Sequence, residues 1–339
     1  MKKIFGIILG FTVAIGAMSF TSCGHKADKA DGECSGKCCG DSVEADTVST
    51  VYYIKDITPE NLVKIYQALG REAKGNKIGI KISTGESDKS NHLDTALISQ
   101  LVRQIGGTFI ESNTAYEGNR RHAHQHAETA KAHGFTDLAG VDIMDAEGSV
   151  ELPVEGGKHL TKDIVGKTFP EYDFVVVLSH FKGHQMGGFG GALKNISIGI
   201  ASAEGKTYIH TAGKTDNPAE IWKNTAEQDD FLESMAEAAK AIADHAGDNI
   251  LYINVANKLS VDCDCNGNPE APEMGDLGIF ASLDPVALDR ACVDAVLNSD
   301  DSGKEALIER IRSRHGEHIL PYAEQLGVGT QNYKLVTLE

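Results

Sequence analysis

Phe174-Val175-Val176-Val177-Leu178 is the stretch on which the fold turns. Five consecutive apolar residues leave no solvent face, so a strand made from them must be covered on both sides. That is the condition of a parallel sheet lying between helices. On either side the chain alternates between the two kinds of element. Upstream, Thr58-Pro59-Glu60 starts a helix, with a capping hydroxyl, a proline in the first turn and an acid behind it. Ile78, Ile80 and Ile82 alternate as a strand over 77–83, and Leu93, Leu97, Leu101 and Ile105 share a helical face that Gly106-Gly107 end. A strand over 108–111 follows, then a helix around 120–133 that closes at Gly134. Downstream, Phe231, Met235, Ala238, Ala239 and Ile242 mark a long amphipathic helix, and 250–255 is a strand. Asp284-Pro285 opens a helix with Leu288, Cys292 and Ala295 on one face, making Cys292 a packed thiol and Asp289 a helix-start residue. Residues 333–338 form a last strand. This alternation predicts an α/β fold with a mainly parallel sheet and helices on both faces, built as one body or as two lobes with a cleft between them.

The whole chain has 339 residues, with 32 Lys+Arg against 49 Asp+Glu and a formal charge of −17. A surface this acidic argues against a nucleic-acid partner, which needs a basic face. Hydrophobic residues at 41% and charged residues at 24% exclude wholesale disorder.

The N-terminus reads as targeting. Lys2 and Lys3 precede an uncharged apolar run over 4–18, then Ser19, Phe20, Thr21, Ser22 and Cys23. We expect a signal peptide over 1–22, too short for a comfortable membrane span, with Cys23 resembling the lipidated cysteine of a bacterial lipoprotein. The protein is then exported and touches the membrane through its lipid anchor alone. Residues 23–50 are polar and read as a flexible tether ahead of a folded domain over 51–339. Within the tether, Cys34, Cys38 and Cys39 suit either a labile disulfide or a soft metal. No Cys-x-x-Cys-x-x-Cys run exists, so no 4Fe-4S cluster is expected.

The chemistry concentrates directly after the buried strand. Ser179-His180-Phe181-Lys182-Gly183-His184 continues into Gly187-Gly188-Phe189-Gly190-Gly191 and Lys194-Asn195. Ligands of open α/β sheets bind at the carboxyl ends of strands, and clustered glycines let backbone amides approach an anion. Imidazole can ligate a metal or shuttle protons, and a partly desolvated lysine can act as nucleophile or base. His180, Lys182, His184 and Lys194 are therefore candidate catalytic groups on a pliable turn. Gly187, Gly188, Gly190, Gly191, Lys194 and Asn195 are a candidate cofactor cradle.

A second cluster, Asn113, Tyr116 and Arg120, follows the strand at 108–111 and would line the same cleft, with Arg120 suited to a substrate carboxylate. His122 and His124 read as solvated surface. His210 alone reads as a hydrogen-bonded loop histidine. Cys263 and Cys265, inside Asp262-Cys263-Asp264-Cys265, suit either a soft metal or a structural role at a strand end.

From Val51 onward the chain resembles the bacterial and archaeal family called Domain of Unknown Function 362, whose members are sometimes labelled iron–sulfur centre proteins. The resemblance rests on the Ser179–His184 and Gly187–Asn195 motifs, on Asp262-Cys-Asp-Cys265, and on Ser282-Leu-Asp284-Pro285-Val-Ala-Leu-Asp289. The cysteine insertion of many members is missing from residues 201–210 here, so the cluster is not carried over. The spacing of His184, Lys194 and His210, with Gly199-Ile200, also resembles nickel-pincer lactate racemases. That resemblance implies Lys194 as covalent anchor of a pyridinium-derived cofactor, His210 as metal ligand and His184 as acid/base.

Two functional readings follow. The first is an enzyme acting on a small anionic, hydroxy-acid-like substrate by proton or hydride transfer, of the oxidoreductase or racemase type. It would work with or without a transition metal such as nickel, iron or zinc. The alternative is a non-catalytic metal-binding or redox-associated lipoprotein using His180, His184, Cys263 and Cys265, with or without the tether thiols.

Overall fold

The computed structural model describes residues 48–339. The expected signal peptide, Cys23 and the tether thiols Cys34, Cys38 and Cys39 lie outside the described residues.

The strands are β1 (Ser49–Ile54), β2 (Ile78–Lys81), β3 (Thr108–Glu111), β4 (Val141–Ile143), β5 (Ser149–Pro153), β6 (Lys162–Gly166), β7 (Phe174–His180), β8 (Lys182–His184), β9 (Gly188–Gly190), β10 (Ile250–Ala256), β11 (Gly278–Ser282) and β12 (Tyr333–Thr337). The α-helices are α1 (Pro59–Ala68), α2 (Thr95–Ile105), α3 (Ala123–Ala132), α4 (Ala192–Ile196), α5 (Ala203–His210), α6 (Gln228–Ala246), α7 (Pro285–Leu297), α8 (Lys304–Ser313) and α9 (Ile319–Gln325).

Eight strands form one sheet in the order β12-β1-β11-β10-β7-β2-β3-β4. Every pairing is parallel except those of β11 with β1 and β10. The fold is α/β, with β7 near the middle. Val175 and Val177 of β7 pack into the core under α4, α6 and α7, while Phe174, Val176 and Leu178 pack into the opposite core with α1 and α2. Two cores, one on each face, are the reason the strand has no polar alternation. The β10 strand divides in the same way, Tyr252 to one side and Leu251, Ile253 and Val255 to the other. Fully burying each such aliphatic side chain contributes roughly 1.5–3 kcal/mol.

Local sequence explains the element ends. Thr58 accepts from the Asn61 amide at 3.2 Å at the head of α1, and Gly106 closes α2 at φ +66°. Asp284 caps α7 through the amides of Val286 and Ala287. Its carboxylate also takes the Ser49 hydroxyl and the Thr330 amide, tying β1 and the segment before β12 to the helix start.

Several expectations need correction. The helix expected from Arg120 begins only at Ala123, leaving Arg120 on the preceding loop. The glycine-rich segment is not a pliable turn but the antiparallel hairpin β8–β9 followed by α4, buried along most of its length. His210 ends α5 and is not in a loop. Residues 48–339 form one compact unit, and the cleft lies within it. Among the described residues no helix is long and apolar enough to cross a membrane.

Candidate active site

A cavity of about 300 Å³ opens where the carboxyl ends of β2, β3 and β7 meet β8–β9, α4 and α5. Strands in a parallel sheet all point their carboxyl ends to one side, which gathers segments distant in sequence into one depression. The charge on its walls is opposite to that of the protein. Lys81, Arg120, Lys182, Lys194 and Lys206 face only two acids, Glu111 and Asp264, in a chain of formal charge −17. Cations gathered in a low-dielectric depression raise the local concentration of an anion.

Most of these cations are held. Lys81 donates to the Ile82 carbonyl at 2.6 Å and to Asn195 Oδ1 at 3.1 Å. Lys182 donates to the His180 carbonyl at 2.7 Å and to Asp264 Oδ2 at 3.0 Å, and Lys206 to the Ala201 carbonyl. Arg120 reaches Glu86 at 3.1 Å and Glu111 at 3.3 Å. Glu111 also accepts from Thr84 and, at 2.8 Å, from His126. Burial pushes the Glu111 carboxyl up, but His126 and Arg120 outweigh it and leave the group well below the carboxylate range.

Lys194 is the exception. Its Nζ has no hydrogen-bonding partner among the described residues, and it lies on the cavity wall. Burial first, then the charge of Lys182, lowers its amine to about 7. Lys81 falls to about 7 and Lys206 to about 8, again mainly through burial. Of these three lysines, Lys194 alone combines a lowered value with an amine that donates to no partner among the described residues.

The three histidines differ by hydrogen bonding. His180 faces an acceptor at each nitrogen, Asp264 Oδ1 at 2.8 Å and the Asn257 carbonyl at 2.6 Å. Both nitrogens are engaged by these partners, so the ring acts as a strut and presents no free nitrogen to a substrate or a metal. His184 Nδ1 accepts from the Gly187 amide at 2.7 Å and more weakly from that of Met186 at 3.3 Å. Its value is lowered well below normal by burial and then by Lys194 and His210, so the ring is neutral with its proton on Nε2. It is a hydrogen-bond donor there. His210 is the opposite tautomer. Its Nδ1 donates to the Lys206 carbonyl at 2.6 Å, and burial lowers it to about 4, leaving the Nε2 lone pair free. The cavity wall therefore holds one neutral imidazole that donates and one that accepts.

The glycines have distinct jobs. A Cβ on Gly191 would sit 2.2 Å from Asp289 Oδ1, and that carboxylate accepts the Ala192 and Leu193 amides at 2.8 and 2.9 Å. Asp289 is thus not a start residue of its own helix but the cap of α4, which aims Lys194. Burial pushes its carboxyl up to about 6. At Gly190 a Cβ would meet the Lys194 stem at 3.1 Å. Gly187 and Gly188 do not line the cavity, and Gly188 (φ +78°) instead packs against Gly316.

Of the expected substrate residues, Tyr116 and Arg120 line the cavity and Asn113 does not. Cys263 and Cys265 lie on the wall as a disulfide, so neither sulfur is a thiolate available to a metal. They lie within 4.8 Å of a His184 nitrogen. Cys292 is a buried core thiol, and His122 and His124 are exposed, as expected. Lys81, Lys206, Glu111, Asp264 and Trp222 escaped the sequence reading. One had a signal: Lys206 stands four residues before His210, one helical turn away, whereas Lys81 shares the Gly79 face of the Ile78, Ile80 and Ile82 alternation, where a lysine reads as solvated.

This fold and site define an α/β protein with a cation-lined cavity at the strand ends. The family model described as "Domain of unknown function (DUF362)" matches residues 78–294, more than half of the chain, and the chain belongs to that family. The matched span holds every charged residue of the cavity wall and Asp289. No curated protein matches the sequence. Among solved structures the chain is similar to the lactate racemase apoprotein from Thermoanaerobacterium thermosaccharolyticum, with 18% identity, a TM-score of 0.37 and coverage of 61% of this chain and 50% of that one. It is also similar to a structural-genomics protein from Thermotoga maritima, with 17% identity, a TM-score of 0.37 and coverage of 70% and 58%. The chain thus spans 50–58% of the length of these two proteins.

Proposed function

We propose that the protein is an exported, lipid-anchored enzyme that binds a small anionic, hydroxy-acid-like substrate in this cavity and moves a proton or hydride there. The N-terminal targeting pattern supports export, and five basic side chains against two acids, with Arg120 and Lys182 held in ion pairs, support an anionic ligand. The observation that carries the enzymatic part is Lys194, a half-buried amine on the cavity wall, unpartnered among the described residues and brought to about 7. A purely structural lysine has its charge satisfied, and an amine titrating near neutrality is what proton transfer requires.

In this reading Arg120 and the tethered lysines hold the substrate carboxylate. His184 donates from Nε2 to the substrate oxygen, polarising it as a neutral imidazole can. Lys194, or the lone pair of His210, accepts the proton that leaves. The resemblance to nickel-pincer racemases also implies a bound pyridinium-derived group. Lys194, as a free amine, suits an anchor, and His210, oriented by its backbone acceptor, suits a metal ligand. When bound, such a group supplies a hydride acceptor. His184 departs from a ligand's role, because its Nδ1 is filled by amides and its Nε2 bears the proton.

The test is to incubate single enantiomers of short 2-hydroxy acids with the protein in D₂O, following chirality by polarimetry and α-proton exchange by NMR. Turnover lost in Lys194→Ala supports the reading, and turnover unchanged by it refutes the reading. The alternative, a non-catalytic metal- or redox-handling protein, draws on the proximity of His184 to the Cys263–Cys265 pair. It requires metal uptake only after reduction, independent of Lys194.

A further inference from the structure

Away from the cavity, side chains from three segments converge on one carboxylate. Glu233 of α6 receives His159 Nε2 at 2.7 Å on one oxygen and His318 Nε2 at 3.1 Å on the other. Asp230, three residues earlier on the same helical face, lies 3.7 Å from His159 Nε2. Ligand atoms of His159, Asp230 and Glu233 all fall within 4.8 Å of one another. The side chains of His159 and Glu233 are only 10% and 11% exposed.

We propose that His159, His318, Glu233 and Asp230 form a binding site for a divalent cation of the zinc class. Two imidazoles and two carboxylates are the donor set of a borderline ion, too nitrogen-rich for calcium or magnesium. Ligands about 2.0–2.1 Å from a tetrahedral ion stand roughly 3.3 Å apart. His159 lies 2.7 Å from Glu233 and 3.7 Å from Asp230, while His318, 3.1 Å from the other Glu233 oxygen, stands outside the mutually close trio and turns its ring inward to complete the set. Neither histidine Nδ1 has a partner among the described residues, so each ring can carry its proton there and turn the Nε2 lone pair to the ion.

The frame behind the site is already built. Buried Glu237 accepts the Lys158, His159 and Leu160 amides at 2.7, 3.0 and 2.7 Å and the Tyr322 hydroxyl at 2.7 Å. It thereby fixes the loop that presents His159 against α6. Electrostatics favour a cation as well. Asp230, Glu233 and Glu237 crowd together, and among the described residues Lys158 is the one lysine or arginine paired with them. Its side chain is 60% exposed, bonded to Glu233 at 2.7 Å, and free to swing into solvent when an ion takes its place. An occupied site would pin the His159 loop and the head of α9 to α6.

The experiment uses the full chain with Cys34, Cys38, Cys39, Cys263 and Cys265 each replaced by Ser, so that no paired or tether thiol takes up the ion. After chelator treatment, zinc is titrated calorimetrically and cobalt is followed by its visible absorption. One zinc per chain and the intense bands of four-coordinate cobalt are expected, with a zinc-induced rise in Tm. Affinity should fall at least tenfold in His159→Ala/His318→Ala and in Glu233→Gln, and stay unchanged in His210→Ala, a cavity residue. His159→Gln/His318→Gln guards against a folding artefact, since it should melt like the parent without zinc and lose the zinc-induced rise. If the chain with these five serines binds no zinc, or binds it equally after both histidines are replaced, the site does not exist.

Discussion

Replacing Lys194 by Met should abolish turnover and at the same time make the protein more stable. Burial and the neighbouring Lys182 bring this amine from 10.5 to about 7. At about 1.4 kcal/mol per unit, that depression corresponds to roughly 4–5 kcal/mol of penalty on the charged form. The amine faces a water-accessible cavity and not packed protein, so about half of this, about 2 kcal/mol, is a sounder expectation. Met leaves no acceptor unpaired, because Lys194 donates to none among the described residues. It also keeps the aliphatic stem that packs at Gly190.

The sign follows from proton counting. Between the folded value near 7 and the unfolded value, the unfolded chain binds more protons, so the wild-type penalty is full below about pH 7 and fades toward about pH 10. The advantage of Lys194→Met should therefore be largest at about pH 6 and nearly gone at about pH 10. Urea unfolding at acidic, neutral and alkaline pH measures it directly. A variant less stable than wild type at acidic pH, or a gap that does not change with pH, would refute the argument that the cavity holds this amine under electrostatic strain.

The pH–rate profile of any turnover should rise through a limb near 7 that belongs to Lys194 and vanishes in Lys194→Arg. No limb between about 5 and 8 should come from His184 or His210, both of which burial depresses, His210 to about 4. Trp222 is the single tryptophan, 59% exposed at the cavity wall, so a bound anion should change intrinsic fluorescence and Trp222→Phe should silence that signal. Gly205→Ala should cost about 3 kcal/mol or more in urea unfolding, because its Cβ would overlap the rigid Ile164 carbonyl behind α5.

Much of the framework was legible in consecutive residues. The unbroken apolar run of β7, the Thr58-Pro59 and Asp284-Pro285 starts and the Gly106 stop are local signals, and each stands where its neighbours in the chain placed it. Lys194, His184, Arg120 and Tyr116 do share one cavity, as their positions after strands suggested, and His210 joins them from the end of α5. Asn113, Gly187 and Gly188 share those positions in sequence and turn elsewhere. Position after a strand names the neighbourhood, but not the direction of each side chain. Asp289 shows the other gap. Its sequence context is the first turn of its own helix, whereas its carboxylate serves a helix about a hundred residues earlier.

What the sequence by itself determined was the alternation of elements, the two-faced burial of the central strands and the glycines needed where backbone and side chain meet closely. These depend on hydrophobic period and on local sterics, which neighbouring residues write directly. Tertiary structure alone decided which lysine is free, which histidine donates and which accepts, and that His180 is a strut. Each of those follows from a partner far along the chain: Asp264 and Asn257 for His180, Asn195 for Lys81, Asp289 for the helix that carries Lys194. Proton affinity is set by burial and by the charges within a few ångströms, and in this chain those charges come from strands and loops that only the folded sheet brings together.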